Sequence, residues 1–183
     1  VDTALSDASA SKSLVTYKML GVDGAEVDAT TLVFTPKTVP PVNGWPIVVW
    51  AHGTTGVADK CAPSVLGLGQ TAELIESLLD EGYVVVAPNY EGLGAPGNHP
   101  FLNLRSEAFS ITDAVVAARN YLKDQLGKKV SDQWASIGHS QGGHAVLGAA
   151  QYASRAQLNY KGTVAIAPAS NLASILTIGE QQA

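Results

Sequence analysis

Three short, continuous apolar runs constrain this chain more than any other feature: residues 46–50, 83–88 and 162–167. Runs of this length without polar alternation are the pattern of strands buried on both faces of a sheet. Residues 133–138 read as a further short strand. Helical spacing separates them. Ala72, Ile75, Leu78 and Leu79 recur at intervals of three and four within 71–79, and Gly82 stands where a left-handed C-terminal cap is expected. Leu104, Ala108, Ile111, Val115, Ala118 and Leu122 define a longer helix that Gly127 can close, with Arg105, Asp113, Arg119 and Lys123 on its polar face. Residues 142–153 form an Ala-rich helix. Alternating strands and helices predict a right-handed, doubly wound, mostly parallel sheet. Ahead of it, residues 13–20 and 25–36, joined by a turn at 21–24, read as an antiparallel hairpin at a sheet edge.

Composition narrows the partners. At 183 residues the chain fits one domain, with 46% hydrophobic residues, 15% charged residues and 18 glycines, a balance typical of α/β proteins. A net charge of −5 and the lack of any dense Lys/Arg cluster exclude the electrostatic footprint of nucleic-acid binding. No apolar run approaches the length of a bilayer span, while contact with a lipid surface stays open. The opening Val1-Asp2-Thr3-Ala4 suits a mature chain after removal of a targeting peptide. Cys61 is the single cysteine, so it is either a free half-buried thiol or bonded to another chain.

The chemistry-bearing motif is Gly138-His139-Ser140-Gln141-Gly142-Gly143, placed where the strand at 133–138 meets the helix from 142. A serine in so sharp a strand-to-helix turn is forced into a strained conformation, and the residues two before and two after it must lack a Cβ. Gly138 and Gly142 meet that demand. The hydroxyl then stands clear of the sheet, and the following helix N-terminus favours negative charge developing nearby. A second segment, Ala51-His52-Gly53-Thr54-Thr55-Gly56, follows the strand at 46–50 with glycines and small hydroxyl residues. An N–H from Thr54 or Thr55, together with that of Gln141, would make a two-donor oxyanion hole. The plain alternative is an ordinary turn. A third loop, Pro88-Asn89-Tyr90-Glu91-Gly92-Leu93-Gly94, converges on the same sheet edge, where open α/β sheets build their sites. Glu91 reads first as a carboxylate capping local N–H groups and only second as a catalytic acid.

These stretches, with Cys61-Ala62-Pro63-Ser64 continuing the second, resemble in order and spacing the N-terminal part of the secretory lipases, the α/β-hydrolase family of the Candida lipase A type. The resemblance implies an α/β-hydrolase fold over residues 1–170, the start of a cap or lid segment at 171–183, and the C-terminal strands and most of the cap missing. It implies a secreted lipase or esterase that uses neither metal nor organic cofactor. Ser140 would be the nucleophile, and Thr54 or Thr55 with Gln141 the oxyanion donors.

Triad partners in this fold follow the serine in the order Ser, Asp or Glu, His. Only 43 residues follow Ser140, and they hold one acid, Glu180, and one histidine, His144. Of the other histidines, His52 reads as a support of its loop, His139 as projecting away from the serine, and His99 as the least remote substitute base. His144 reads as packing on the elbow helix. The expectation is therefore a serine ester hydrolase that takes its Asp, His and cap from a second polypeptide. Amide hydrolysis or acyl transfer on the same scaffold, and a non-catalytic binding protein of hydrolase fold, are the alternatives.

Overall fold

The computed structural model describes residues 9–174 and residue 177; most of the expected cap segment at 171–183 therefore lies outside the described residues. Two strands, β1 (Ser9–Leu20) and β2 (Glu26–Pro36), form the antiparallel hairpin, and β3 (Trp45–Ala51) follows. Helix α1 (Ala72–Asp80) leads into β4 (Val84–Pro88), and α2 (Leu104–Asn120), extended by a π-helical turn over Tyr121–Gln125, leads into β5 (Val130–His139). Helix α3 (Gln141–Gln151) and β6 (Asn159–Ile166) complete the described order. The six strands form one sheet in the order β1-β2-β4-β3-β5-β6. The β3/β4, β3/β5 and β5/β6 pairs are parallel, and β1/β2 and β2/β4 antiparallel.

Period-two alternation splits the strands between two cores. Ile47, Val49, Val84 and Val86 pack against α2 and α3, through Ala108, Ile111, Val115, Ala145 and Val146. Leu32, Phe34, Trp50, Val85 and Ala87 point the other way onto Ala72, Ile75 and Leu79 of α1. Helices on both faces of a mostly parallel sheet are the doubly wound arrangement of the α/β-hydrolase fold. As the spacing predicts, Gly82 follows α1 at φ 84° and its N–H donates to Leu79 O at 2.9 Å.

One expectation needs correction, and one helix is buried further than its spacing alone shows. The run at 162–167 was expected to be a buried strand, yet Val164 and Ile166 of β6 are 54% and 44% exposed. β6 is the last strand of the described sheet and has a helix on one face only. Thr163 hydrogen-bonds Val146 O of α3 and Ala165 packs on the same core, which leaves Val164 and Ile166 on the uncovered face. Helix α2 is also buried well beyond its apolar stripe. Ser106, Glu107, Ser110 and Thr112 are all buried, because α2 is wedged between the sheet, α3 and β1, whose Tyr17 hydroxyl donates to Ser110 O.

Candidate active site

At the C-terminal end of β5 the chain turns through Ser140 directly into α3. Ser140 has φ 57° and ψ −116°, a region that non-glycine residues enter only when their surroundings hold them there. Its N–H donates to Ile166 O at 3.0 Å, and its carbonyl accepts from His144 N and Ala169 N, both at 3.1 Å. The turn is thus tied to the end of β6 and to the first turn of α3. The glycines on either side leave no space for a side chain. A Cβ at Gly138 would stand 2.1 Å from Gly142 O, and a Cβ at Gly142 would stand 1.9 Å from Ala51 O. Gly143 is also confined, since a Cβ there would stand 2.8 Å from Pro168 Cα. The Gly142-Gly143 doublet was the only sequence signal for this third position.

The loop after β3 runs beside this turn. A Cβ at Gly53 would lie 3.7 Å from Ser140 Cβ and 3.5 Å from His139 Nδ1. Thr54 and Thr55 follow it on the exposed sheet edge. His139 is exposed beside Gly53. His52 is buried, stacked on Tyr90 with ring centroids 4.3 Å apart, and its Nδ1 lies 2.6 Å from Gly53 O. Burial lowers its pKa to about 4, against the pull of its carbonyl contacts, so the ring is neutral near pH 7. Tyr90 holds the loop from the other side: its hydroxyl donates to His52 O at 2.8 Å, and burial pushes its pKa well up. Asn89, also buried, accepts from Ser64 N and donates to Thr30 and Ser64 hydroxyls, fixing the segment that follows the loop. Cys61 is a free, partly buried thiol against Gly56.

Glu91 is a structural carboxylate. Both its oxygens accept from Val22 N, at 3.1 and 3.0 Å, and Ser106 Oγ donates to one of them. It ties the β1–β2 turn and α2 to the loop after β4, which is the capping role the sequence favoured.

Behind the serine lies a buried polar network that sequence reasoning missed. Gln141, 1% exposed, donates from Nε2 to Glu107 Oε1 at 2.9 Å and contacts His99 Nε2 at 3.0 Å. His144 Nδ1 lies 2.7 Å from the other Glu107 oxygen. Burial raises the Glu107 pKa, and the hydrogen bonds from His144 and Gln141 oppose that rise. His99 Nδ1 faces Glu91 O at 2.8 Å. A carbonyl only accepts and an amide nitrogen only donates, so Nδ1 carries the proton and Nε2 accepts from Gln141. The basic nitrogen of His99 is therefore engaged by Gln141 and is not offered to Ser140. Glu107 was hidden from the sequence because it occupies a position flanking the apolar stripe of α2, where a solvated carboxylate is the ordinary expectation. Among the described residues, every hydrogen bond of Ser140 is made by its backbone.

Candida antarctica lipase A in its closed state is 24% identical with a TM-score of 0.68, and the match covers 83% of this chain and 36% of that one. An esterase that degrades rice cell walls, LipA of Xanthomonas oryzae, is 24% identical with a TM-score of 0.72, over 86% of this chain and 42% of that one. A hydrolase of Legionella pneumophila is 24% identical with a TM-score of 0.66, over 90% and 46%. This sequence thus spans less than half the length of each of these structures. All three are single chains, which gives no support to a separate second polypeptide. No curated protein matches. The secretory lipase family model matches residues 64–181, well over half of the sequence, from the turn after Cys61 through the elbow and beyond β6. The chain belongs to the secretory lipase family.

Proposed function

We propose that this chain carries the nucleophilic half of a serine carboxylic ester hydrolase, with Ser140 attacking the acyl carbonyl. The observation that carries this reading is the conformation of Ser140. It sits at φ 57° and ψ −116° at the N-terminus of an 11-residue helix, with the Gly53 loop at its side. Holding a hydroxyl at a strained turn costs stability, and it is retained where the strain presents a reactive group. The backbone N–H of Gln141, at the start of α3, and one from Thr54 or Thr55 would receive the developing oxyanion. Water then releases the acid from the acyl-enzyme. The acid and base that activate the serine follow it in chain order in this fold. They would lie in that part of the fold which the sequence does not cover in the solved relatives. The family supports esters as substrates and export from the cell.

The test uses the protein expressed from its full reading frame. A fluorophosphonate probe should label Ser140, identified by peptide mass, and Ser140→Ala should abolish both labelling and p-nitrophenyl ester turnover while the thermal transition persists. Ester turnover retained in Ser140→Ala would overturn the assignment.

A further inference from the structure

The buried carboxylate behind the elbow holds both ends of the first turn of α3. Gln141 and His144 are the first and fourth residues after Ser140, and each makes a side-chain hydrogen bond to a different oxygen of Glu107. Glu107 is 1% exposed and belongs to α2, a separate element packed across α3. Nothing in the proposed ester hydrolysis uses it directly. The same two residues carry the backbone groups closest to the chemistry. Gln141 N–H is the proposed oxyanion donor, and His144 N–H donates to Ser140 O at 3.1 Å. The side-chain oxygen of Gln141 is buried without a hydrogen-bond partner. Leaving an amide oxygen unpaired is costly, so the orientation of this side chain is dictated by the two acceptors on its nitrogen, Glu107 and His99.

We propose that Glu107 is a positioning residue of the active site, clamping Gln141 and His144 so that the Gln141 backbone N–H stays aimed at the oxyanion. The proposal rests on the ester-hydrolase reading above. Its physical content is preorganisation. A donor fixed before the reaction stabilises the transition state without reorganisation, whereas substrate binding before attack needs it little. A carboxylate suits the task because both oxygens accept. Glu107→Met is close in length and apolar but offers no acceptor to Gln141 Nε2–H or to His144 Nδ1, so both arms of the clamp open.

The experiment again uses the protein expressed from its full reading frame, with active sites counted by fluorophosphonate titration. Glu107→Met should lower kcat per titrated site roughly tenfold, less than outright removal of an oxyanion donor. KM should stay within about twofold, and inhibition by a boronic acid, which mimics the tetrahedral species, should weaken by the same factor as kcat. A merely structural role would lower the melting temperature or the titrated fraction and leave kcat per site and boronate affinity unchanged, and that result overturns the proposal. Should Glu107→Met fail to fold, the less buried partner carries the test. His144→Asn keeps an amide donor near the Nδ1 position and should stay within about threefold of the parent, while His144→Leu should fall roughly tenfold. Equal kcat and boronate affinity in both His144 variants overturns the proposal as well. An unmodified protein that neither labels at Ser140 nor turns over esters overturns the function reading and this one with it. A labelled, active protein indifferent to Glu107→Met overturns this one alone.

Discussion

Acid should loosen the loop beside Ser140 through His52. This ring is 6% exposed, stacked on Tyr90, and held neutral with a pKa of about 4, below its ordinary value of 6.5, because burial penalises the imidazolium. The unfolded chain takes up a proton near pH 6.5 and the folded chain only near 4, so between these values the unfolded state binds more protons. Stability from this group is therefore fully present above about pH 6.5 and is lost as pH falls to 4. A difference of about 2.5 units at roughly 1.36 kcal/mol each amounts to about 3.4 kcal/mol. Glu107 acts in the opposite sense, since its raised pKa makes the folded state bind more protons just above the ordinary carboxyl range. The assay must therefore isolate His52. Urea unfolding at pH 7, 6, 5 and 4 is compared with the same series for His52→Asn, whose amide keeps a donor toward Gly53 O but does not titrate. Glu107 is present in both proteins and cancels. The stability gap between parent and variant at pH 7 should shrink, or reverse, by about 3 kcal/mol at pH 4. Parallel curves across the series would refute the reasoning, because they would mean that His52 takes up its proton in the folded state as readily as in the unfolded one.

Other perturbations separate the parts of the site. Gly142→Ala places a Cβ 1.9 Å from Ala51 O and 2.7 Å from His52 O, both backbone atoms, so β3 and α3 must part. It should cost about 3 kcal/mol or more in urea unfolding. Ser140→Gly should instead raise stability by about 1 kcal/mol, since relief of a strain of roughly 1–3 kcal/mol outweighs the added freedom of the unfolded chain. A fall in the urea midpoint would contradict the strain. Glu91→Ala strips acceptors from Val22 N–H and the Ser106 hydroxyl and should destabilise by about 2–3 kcal/mol. Ester turnover per titrated site should hold within about twofold in that variant, and a loss of several hundredfold would return Glu91 to the catalytic acids.

Much of this fold is written in short-range pattern. Continuous apolar runs at 46–50 and 83–88, amphipathic spacing from Leu104 to Leu122 and the caps at Gly82 and Gly127 each report local geometry, and the strands and helices form where these patterns lie. The Gly138-x-Ser140-x-Gly142 spacing is local in the same sense, because the steric demand of a strand-to-helix turn acts on residues two positions away. Exposure of β6 was not legible. An apolar strand looks the same in sequence whether its second face is covered or open, and only the position of Val164 and Ile166 at the end of the described sheet decides it. Nor could the sequence place Glu107 behind Ser140, 33 positions away. A carboxylate beside an apolar stripe reads as solvated, and it becomes a buried clamp only because α2 and α3 cross where Gln141 and His144 turn inward. The sequence by itself determined where the strands and helices form and the turn that carries Ser140, since those follow from interactions between near neighbours. Tertiary structure alone decided which polar groups surround that turn and which nitrogen of His99 is engaged, because burial and hydrogen-bond partners belong to packing between distant segments.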